Sequence, residues 1–179
     1  MKRLFVAIDL PEAIKTQLKA LCRDLDGARW VAHHQMHLTL RFIGDADEAQ
    51  LAKIQAGLAT IQAAPFKMML QAVGQFPEKG KPRVIWVGIT AEAELNELQQ
   101  KIEQVISSTG FEKADHPFSP HITLARFKNP PTSESIEHYF AQHQVFKSDR
   151  FGVEQFILYS SQLATNGSIY QQERNFALA

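Results

Sequence analysis

Two short segments of this chain repeat one another, His37-Leu38-Thr39-Leu40 and His121-Ile122-Thr123-Leu124. In a β-strand, residues i and i+2 point to the same face. Each segment therefore presents an imidazole and a hydroxyl together, while its leucine or isoleucine side chains face apolar packing. Two such pairs meeting at one cleft suit in-line displacement at a phosphodiester. One imidazole takes a proton from the attacking water, and the other, on the opposite side, gives one to the departing oxygen. Histidine fits both roles because its unperturbed pKa of about 6.5 leaves both forms accessible near neutrality. The hydroxyls can donate to non-bridging oxygens as charge develops there. A single His-x-Thr on a strand is common and usually structural. Two copies at corresponding points of a repeated pattern are hard to assign to chance.

The elements that would hold these pairs are legible on both sides of each motif. Leu4-Phe5-Val6-Ala7-Ile8 reads as a strand closed by Asp9, and Pro11 suits the first turn of a helix. Ile14, Leu18, Leu21, Cys22 and Leu25 continue at helical spacing as far as Gly27. Met36 to Ile43 alternates as a second strand. Leu51, Ile54, Leu58 and Ile61 mark another helix behind Asp45 and Asp47, and Phe66, Met68 and Leu70 suggest a further strand. The second half repeats the plan. Arg83-Val84-Ile85-Trp86-Val87 parallels Arg3-Leu4-Phe5-Val6-Ala7, and a helix carrying Leu95, Leu98, Ile102, Val105 and Ile106 follows, ending near Gly110. Arg83 lies 80 positions after Arg3, and His121 lies 84 after His37. A short helix around Ile136, Tyr139 and Phe140 comes next. A strand over Phe151 to Tyr159 carries a parity slip near Val153, which suggests a bulge, and Ile169 to Leu178 closes the chain. The expectation is an α+β fold built by internal duplication over residues 1–179. It comprises two pseudo-symmetric lobes, each an antiparallel-rich β-sheet backed by helices, with a central cleft in one bilobal domain. The stretch from Phe76 to Pro82 is expected to be the loop between the halves.

Composition narrows the function classes. With 19 Lys and Arg against 19 Asp and Glu, the chain lacks the basic excess that coats a long polyanion, yet suits a small anion or a single RNA end. The hydrophobic share of 45% is enough for a core without staples. Cys22 is the only cysteine, which excludes an intrachain disulfide and a thiolate zinc site. Neither motif histidine has a close acidic ligand or a His-x-x-x-His partner on a helix, so no metal and no cofactor is expected. The apolar run after Met1-Lys2-Arg3 is too short for a signal peptide and is interrupted by Asp9 and Pro11. No stretch approaches the roughly 18 apolar residues of a membrane span. A cytoplasmic monomer without membrane contact is expected.

The stretches His37-Leu38-Thr39-Leu40-Arg41-Phe42-Ile43-Gly44 and Pro120-His121-Ile122-Thr123-Leu124-Ala125-Arg126 resemble the paired signatures of the 2H phosphoesterase superfamily. The opening Arg3-Leu4-Phe5-Val6-Ala7-Ile8-Asp9-Leu10-Pro11 is similar to that of its bacterial and archaeal RNA 2′,3′-cyclic phosphodiesterases, also called 2′-5′ RNA ligases. The resemblance covers nearly the whole chain. It implies hydrolysis of RNA or nucleoside 2′,3′-cyclic phosphate ends to 2′-phosphomonoesters, with a 2′-5′ ligase side activity. It also implies that His37 is the proton donor and His121 the acceptor, roles that the symmetry of the motifs leaves open. Arg126 is implied at the phosphate, although strict alternation puts it opposite His121, so the strand must end or bulge there.

Thr39 and Thr123 are the expected phosphate donors. Phe42 either stacks on a base or packs in the core, since its parity is opposite to that of His37. Phe5 poses the same choice. Arg41 shares the His37 parity and either contacts phosphate or RNA or sits as a solvated charge. Lys79, Lys81 and Arg83 read as a solvated loop, with an RNA backbone contact as the sharper option, and His116 as a surface residue near the rim. Two rival readings belong beside the main one. The first is a nucleotide-binding module without turnover. The second is a 2H enzyme acting on 2′-5′ oligoadenylate or cyclic ADP-ribose phosphate.

Overall fold

A computed structural model describes residues 1–90, 92–164 and 167–179. In chain order the elements are β1 (Lys2–Asp9), α1 (Glu12–Lys19), β2 (Arg29–Trp30), a 3₁₀ turn (His33–Gln35), β3 (His37–Ala46), α2 (Glu48–Leu58), β4 (Phe66–Met68) and β5 (Leu70–Phe76). The second half adds β6 (Val84–Ile89), α3 (Ala93–Ser108), β7 (His121–Arg126), α4 (Ser133–His143), β8 (Phe151–Val153), β9 (Gln155–Ala164) and β10 (Gly167–Ala177). The main sheet runs β10-β9-β1-β3-β7-β6-β5 with β2 beside β7, and β4 pairs with β8 apart from it. Every pairing is antiparallel. The α+β architecture is as the sequence predicts. The two half-sheets, however, are joined into one path, by the single pair Leu38↔Ile122.

The periodicities explain the layering. Ile14 and Leu18 of α1, Ile54 and Leu58 of α2, and Leu95, Leu98, Ile102 and Ile106 of α3 are all buried against one face of the sheet. That face supplies Val6, Ile8, Leu38, Leu40, Ile85, Val87, Ile122 and Leu124. Each such side chain contributes roughly 1.5–3 kcal/mol by leaving water. Asp47 caps α2 through a reciprocal pair with Gln50, satisfying two backbone N–H groups that the first turn leaves free. With the helices on one face, His37, Thr39, His121 and Thr123 are left on the other.

Several elements differ from expectation, each for a long-range reason. Residues 77–83 join β5 to β6, so the Phe76–Pro82 stretch is a hairpin within the second half-sheet rather than a link between halves. The parity slip near Val153 is a break: Val153 pairs with Phe66 of β4, whereas β9 joins the main sheet. Helix α1 stops at Lys19, and Leu21 and Leu25 reach the core from the following turns. The likeness of β1 and β6 slips by one residue. Asp9 faces His37 across the β1–β3 ladder and Gly88 faces His121 across β6–β7, a spacing of 79 rather than 80. Only that register lines up the buried Ile85 and Val87 with Val6 and Ile8. Among the described residues no helix is long and apolar enough to cross a membrane.

Candidate active site

The two motifs meet where the half-sheets touch. Strands β3 and β7 share only the pair Leu38↔Ile122. Continuing that antiparallel register would put His37 opposite Thr123 and Thr39 opposite His121. Directly opposed side chains in such a pair lie about 4.5–5.5 Å apart at Cβ, and diagonal ones farther. The ladder does not extend beyond that one pair, so the strands part on either side of it.

Both imidazoles are anchored in the same way. His37 Nδ1 lies 2.6 Å from the carbonyl oxygen of Gln35, and His121 Nδ1 lies 2.7 Å from that of Ser119. In each case the acceptor is two residues before the histidine, and Nδ1–H donates to it. This fixes the tautomer and turns Nε2 away from the backbone. Nε2 of His37 is 3.0 Å from the Thr39 hydroxyl. Rings brace each imidazole, Phe5 at 5.1 Å and Tyr170 at 5.4 Å from His37, Phe76 at 5.0 Å and Trp86 at 6.4 Å from His121. Burial holds the pKa of both histidines below its ordinary 6.5, and Arg126 lowers each further. The Gln35 carbonyl and then Asp9 work the other way at His37, and the Ser119 carbonyl does so at His121.

A matched pair of bulges decides what else faces the cleft. Along β1–β3 the register passes from Ala7↔Thr39 to Val6↔Arg41, leaving Leu40 as the extra residue. Along β6–β7 it passes from Trp86↔Thr123 to Ile85↔Ala125, leaving Leu124 as the extra one. Beyond each bulge the parity is reversed. Phe42, paired with Phe5, and Arg126, paired with Val84, are thereby returned to the face of the threonines. Arg126 is close enough to act on both imidazoles. Phe42 is 65% exposed, with its ring 6.0 Å from Phe5, so it is not a core residue. A cavity of about 990 Å³ opens from Thr39 and His121 and is walled by Phe42, Phe111 and Phe118, with Arg3 and His116 at its margin.

The family model described as the 2′-5′ RNA ligase superfamily matches residues 9–163. The chain belongs to that superfamily. It is similar to an RNA 2′,3′-cyclic phosphodiesterase of Archaeoglobus fulgidus, 34% identical over 97% of this chain and 99% of that one. An RNA 2′,3′-cyclic phosphodiesterase of Thermotoga maritima is 33% identical over 94% of this chain and 91% of its own. Among solved structures, Escherichia coli LigT complexed with 3′-AMP superposes with a TM-score of 0.79 at 27% identity, covering 99% and 98% of the two chains.

Within this 2′-5′ RNA ligase fold, the β3–β7 contact and the two bulges put six of the seven residues singled out from the sequence on one face of the sheet: His37, Thr39, Phe42, His121, Thr123 and Arg126. The seventh, Arg41, is turned by the first bulge toward α3. Its Nε is 2.6 Å from Glu103 Oε2, off the line of the N–H bond, and its Nη groups donate to the carbonyls of Phe42 and Glu112. These partners engage its guanidinium from α3 and from two backbone carbonyls, and the residue forms part of the cavity wall. Sequence reasoning missed Tyr159, Tyr170 and Phe76. The first two come from the far end of the chain, and nothing local marks them. The two anchoring carbonyls were findable, since Gln35 and Ser119 precede the two histidines by the same interval. Among the described residues no group of three or more His, Cys, Asp or Glu side chains is placed to hold a metal ion.

Proposed function

We propose that this chain hydrolyses 2′,3′-cyclic phosphates at RNA ends or on nucleosides, leaving a 2′-phosphomonoester, with His37 as proton donor and His121 as acceptor. The reading is carried by the convergence of two like-anchored imidazoles on one cleft, each with a threonine beside it. Water attacks phosphorus as His121 Nε2 takes its proton. The P–O3′ bond breaks on the opposite side, and His37 Nε2 protonates the departing oxygen. Thr39, Thr123 and Arg126 receive the non-bridging oxygens, where charge accumulates. Phe42 and the aromatic wall beside it offer a stacking surface for the terminal base, a contact indifferent to base identity. The 3′-AMP held by the Escherichia coli relative and the phosphodiesterase relatives support a nucleotide or RNA substrate.

The same proposal covers the setting of the site. The matched strands and bulges about the β3–β7 contact support one bilobal domain that arose by duplication. One chain supplies all six of these residues, so the proposed site needs no second subunit to complete it, and a monomer acting in the cytoplasm is part of the same proposal. A 2′-5′ ligase side activity would be the same ring-opening step with a ribose 5′ hydroxyl in place of water: its oxygen attacks phosphorus as His121 takes its proton, the P–O3′ bond breaks, and a 2′-5′ linkage results.

The deciding assay measures turnover of a nucleoside 2′,3′-cyclic phosphate in chelator. It is run beside 2′-5′ oligoadenylate and cyclic ADP-ribose phosphate. Selective opening of the 2′,3′-cyclic substrate is expected. Binding without turnover would make the protein a nucleotide-binding module, and preference for another diester would reassign its branch.

A further inference from the structure

We propose that Asp9, secured by the buried Lys15, is a positioning residue that breaks the symmetry of the site and makes His37 rather than His121 the proton donor. The proposal rests on the two-histidine reading above and deepens it. The like anchors at Nδ1 do not tell the two imidazoles apart, and burial, which lowers both, favours a proton on neither. The cross-strand partners do tell them apart. Asp9 is directly opposite His37 on β1, whereas the equivalent position opposite His121 on β6 is Gly88. Asp9 alternates with Ala7 and Phe5 and so shares their face, that of the cleft. A carboxylate there favours imidazolium at His37. Glycine gives His121 nothing comparable.

The carboxylate is held firmly. Lys15 on α1 is only 4% exposed, and its Nζ lies 2.8 Å from Asp9 Oδ1 and 3.5 Å from Glu12 Oε1. The Leu10 N–H also donates to Asp9 Oδ1, at 2.9 Å. A lysine is seldom buried to this degree without a partner, because desolvating an ammonium is costly. The charges and titratable groups around His37 are therefore few: Asp9 from β1, Lys15 from α1, Arg126 and His121 from β7, Tyr159 from β9 and Tyr170 from β10. Tyr159, pushed up to about 12 by burial and then by Asp9, is a neutral phenol at working pH. Arg126 and Lys15 oppose a proton on His37. Among these groups Asp9 is the one charge that favours it. Arg126 opposes a proton on His121 as well, with no carboxylate against it.

The test is an NMR titration of the imidazole signals in the full chain, comparing Asp9→Asn and Lys15→Met with the unaltered protein. Asp9→Asn is expected to lower the apparent pKa of His37 by on the order of one unit and to move His121 far less. Lys15→Met is expected to raise His37. In turnover, the alkaline limb of kcat/KM should move toward acid in Asp9→Asn by the same amount. A staple that merely ties β1 to α1 would leave that limb in place. If Asp9→Asn does not fold with Lys15 unpaired, the double variant with Lys15→Met supplies the comparison. Equal shifts of the two histidines, or none, overturn the proposal. Absence of turnover in the unaltered chain would instead overturn the functional reading beneath it, and the titrations keep the two failures apart.

Discussion

Replacing Arg126 by glutamine separates the two things its charge does. Glutamine keeps hydrogen-bond donors but removes the positive charge proposed to lie beside the phosphate. A hydrogen bond to a charged group contributes roughly 1.5–3 kcal/mol. Arg126 is exposed, so solvent screening points to the lower part of that range. About 1.5–2 kcal/mol corresponds to a ten- to thirtyfold loss in kcat/KM. The second effect has a sign that loss of phosphate binding alone lacks. Arg126 lowers the pKa of both His37 and His121, so its removal must raise both. In the unaltered protein the kcat/KM profile, which reports the free enzyme, should centre on the acid side of 6.5. In Arg126→Gln both limbs should move toward alkali together, as expected for a coupled pair. The assay is steady-state hydrolysis of a nucleoside 2′,3′-cyclic phosphate from pH 5 to 9. A lower rate with unmoved limbs would show that the Arg126 charge does not act on the two imidazoles, and its placement on their face by the bulge would fail with it.

Three further outcomes follow from the same geometry. Phe42→Ala should raise KM by about tenfold, the loss expected of one stacking surface, and barely change kcat; an unchanged KM would return Phe42 to a surface role. Because burial depresses both imidazoles, the folded state binds fewer protons than the unfolded chain below about 6.5. Stability should therefore be full above that pH and decline as pH falls through it, a slope that urea midpoints at pH 7.5 and 5.5 will read and that His37→Gln should flatten. Phosphorus NMR of the product should find phosphate on the 2′ oxygen; a 3′-phosphate would keep the paired histidines but reverse which ribose oxygen departs.

What the sequence disclosed and what it concealed divide along physical lines. Alternation within β3 and β7 is local, so the faces of His37, Thr39, His121 and Thr123 can be read directly. The facing of Phe42 and Arg126 depends on an extra residue at Leu40 and at Leu124, and that excess is defined only against the neighbouring strand. The same holds for the one-residue slip between β1 and β6. Leu4 to Ile8 is apolar throughout because both faces of β1 are buried, Leu4, Val6 and Ile8 under the helices and Phe5 and Ala7 under Tyr159 and Tyr170. A strand buried on both sides carries no alternation from which to read its register. Arg41 shows the limit at the site itself, since its partner Glu103 is 62 residues away in the chain.

The claim on which the account rests is that His37 and His121 act as one unit on one phosphate. Turnover of the cyclic mononucleotide by His37→Ala, His121→Ala and the double variant, each shown by circular dichroism to be folded, tests it most directly. Each single change should reduce kcat by on the order of 10²-fold or more, and the double change should be little worse than either one. Near-normal turnover in folded His121→Ala, or losses that multiply in the double variant, would contradict it.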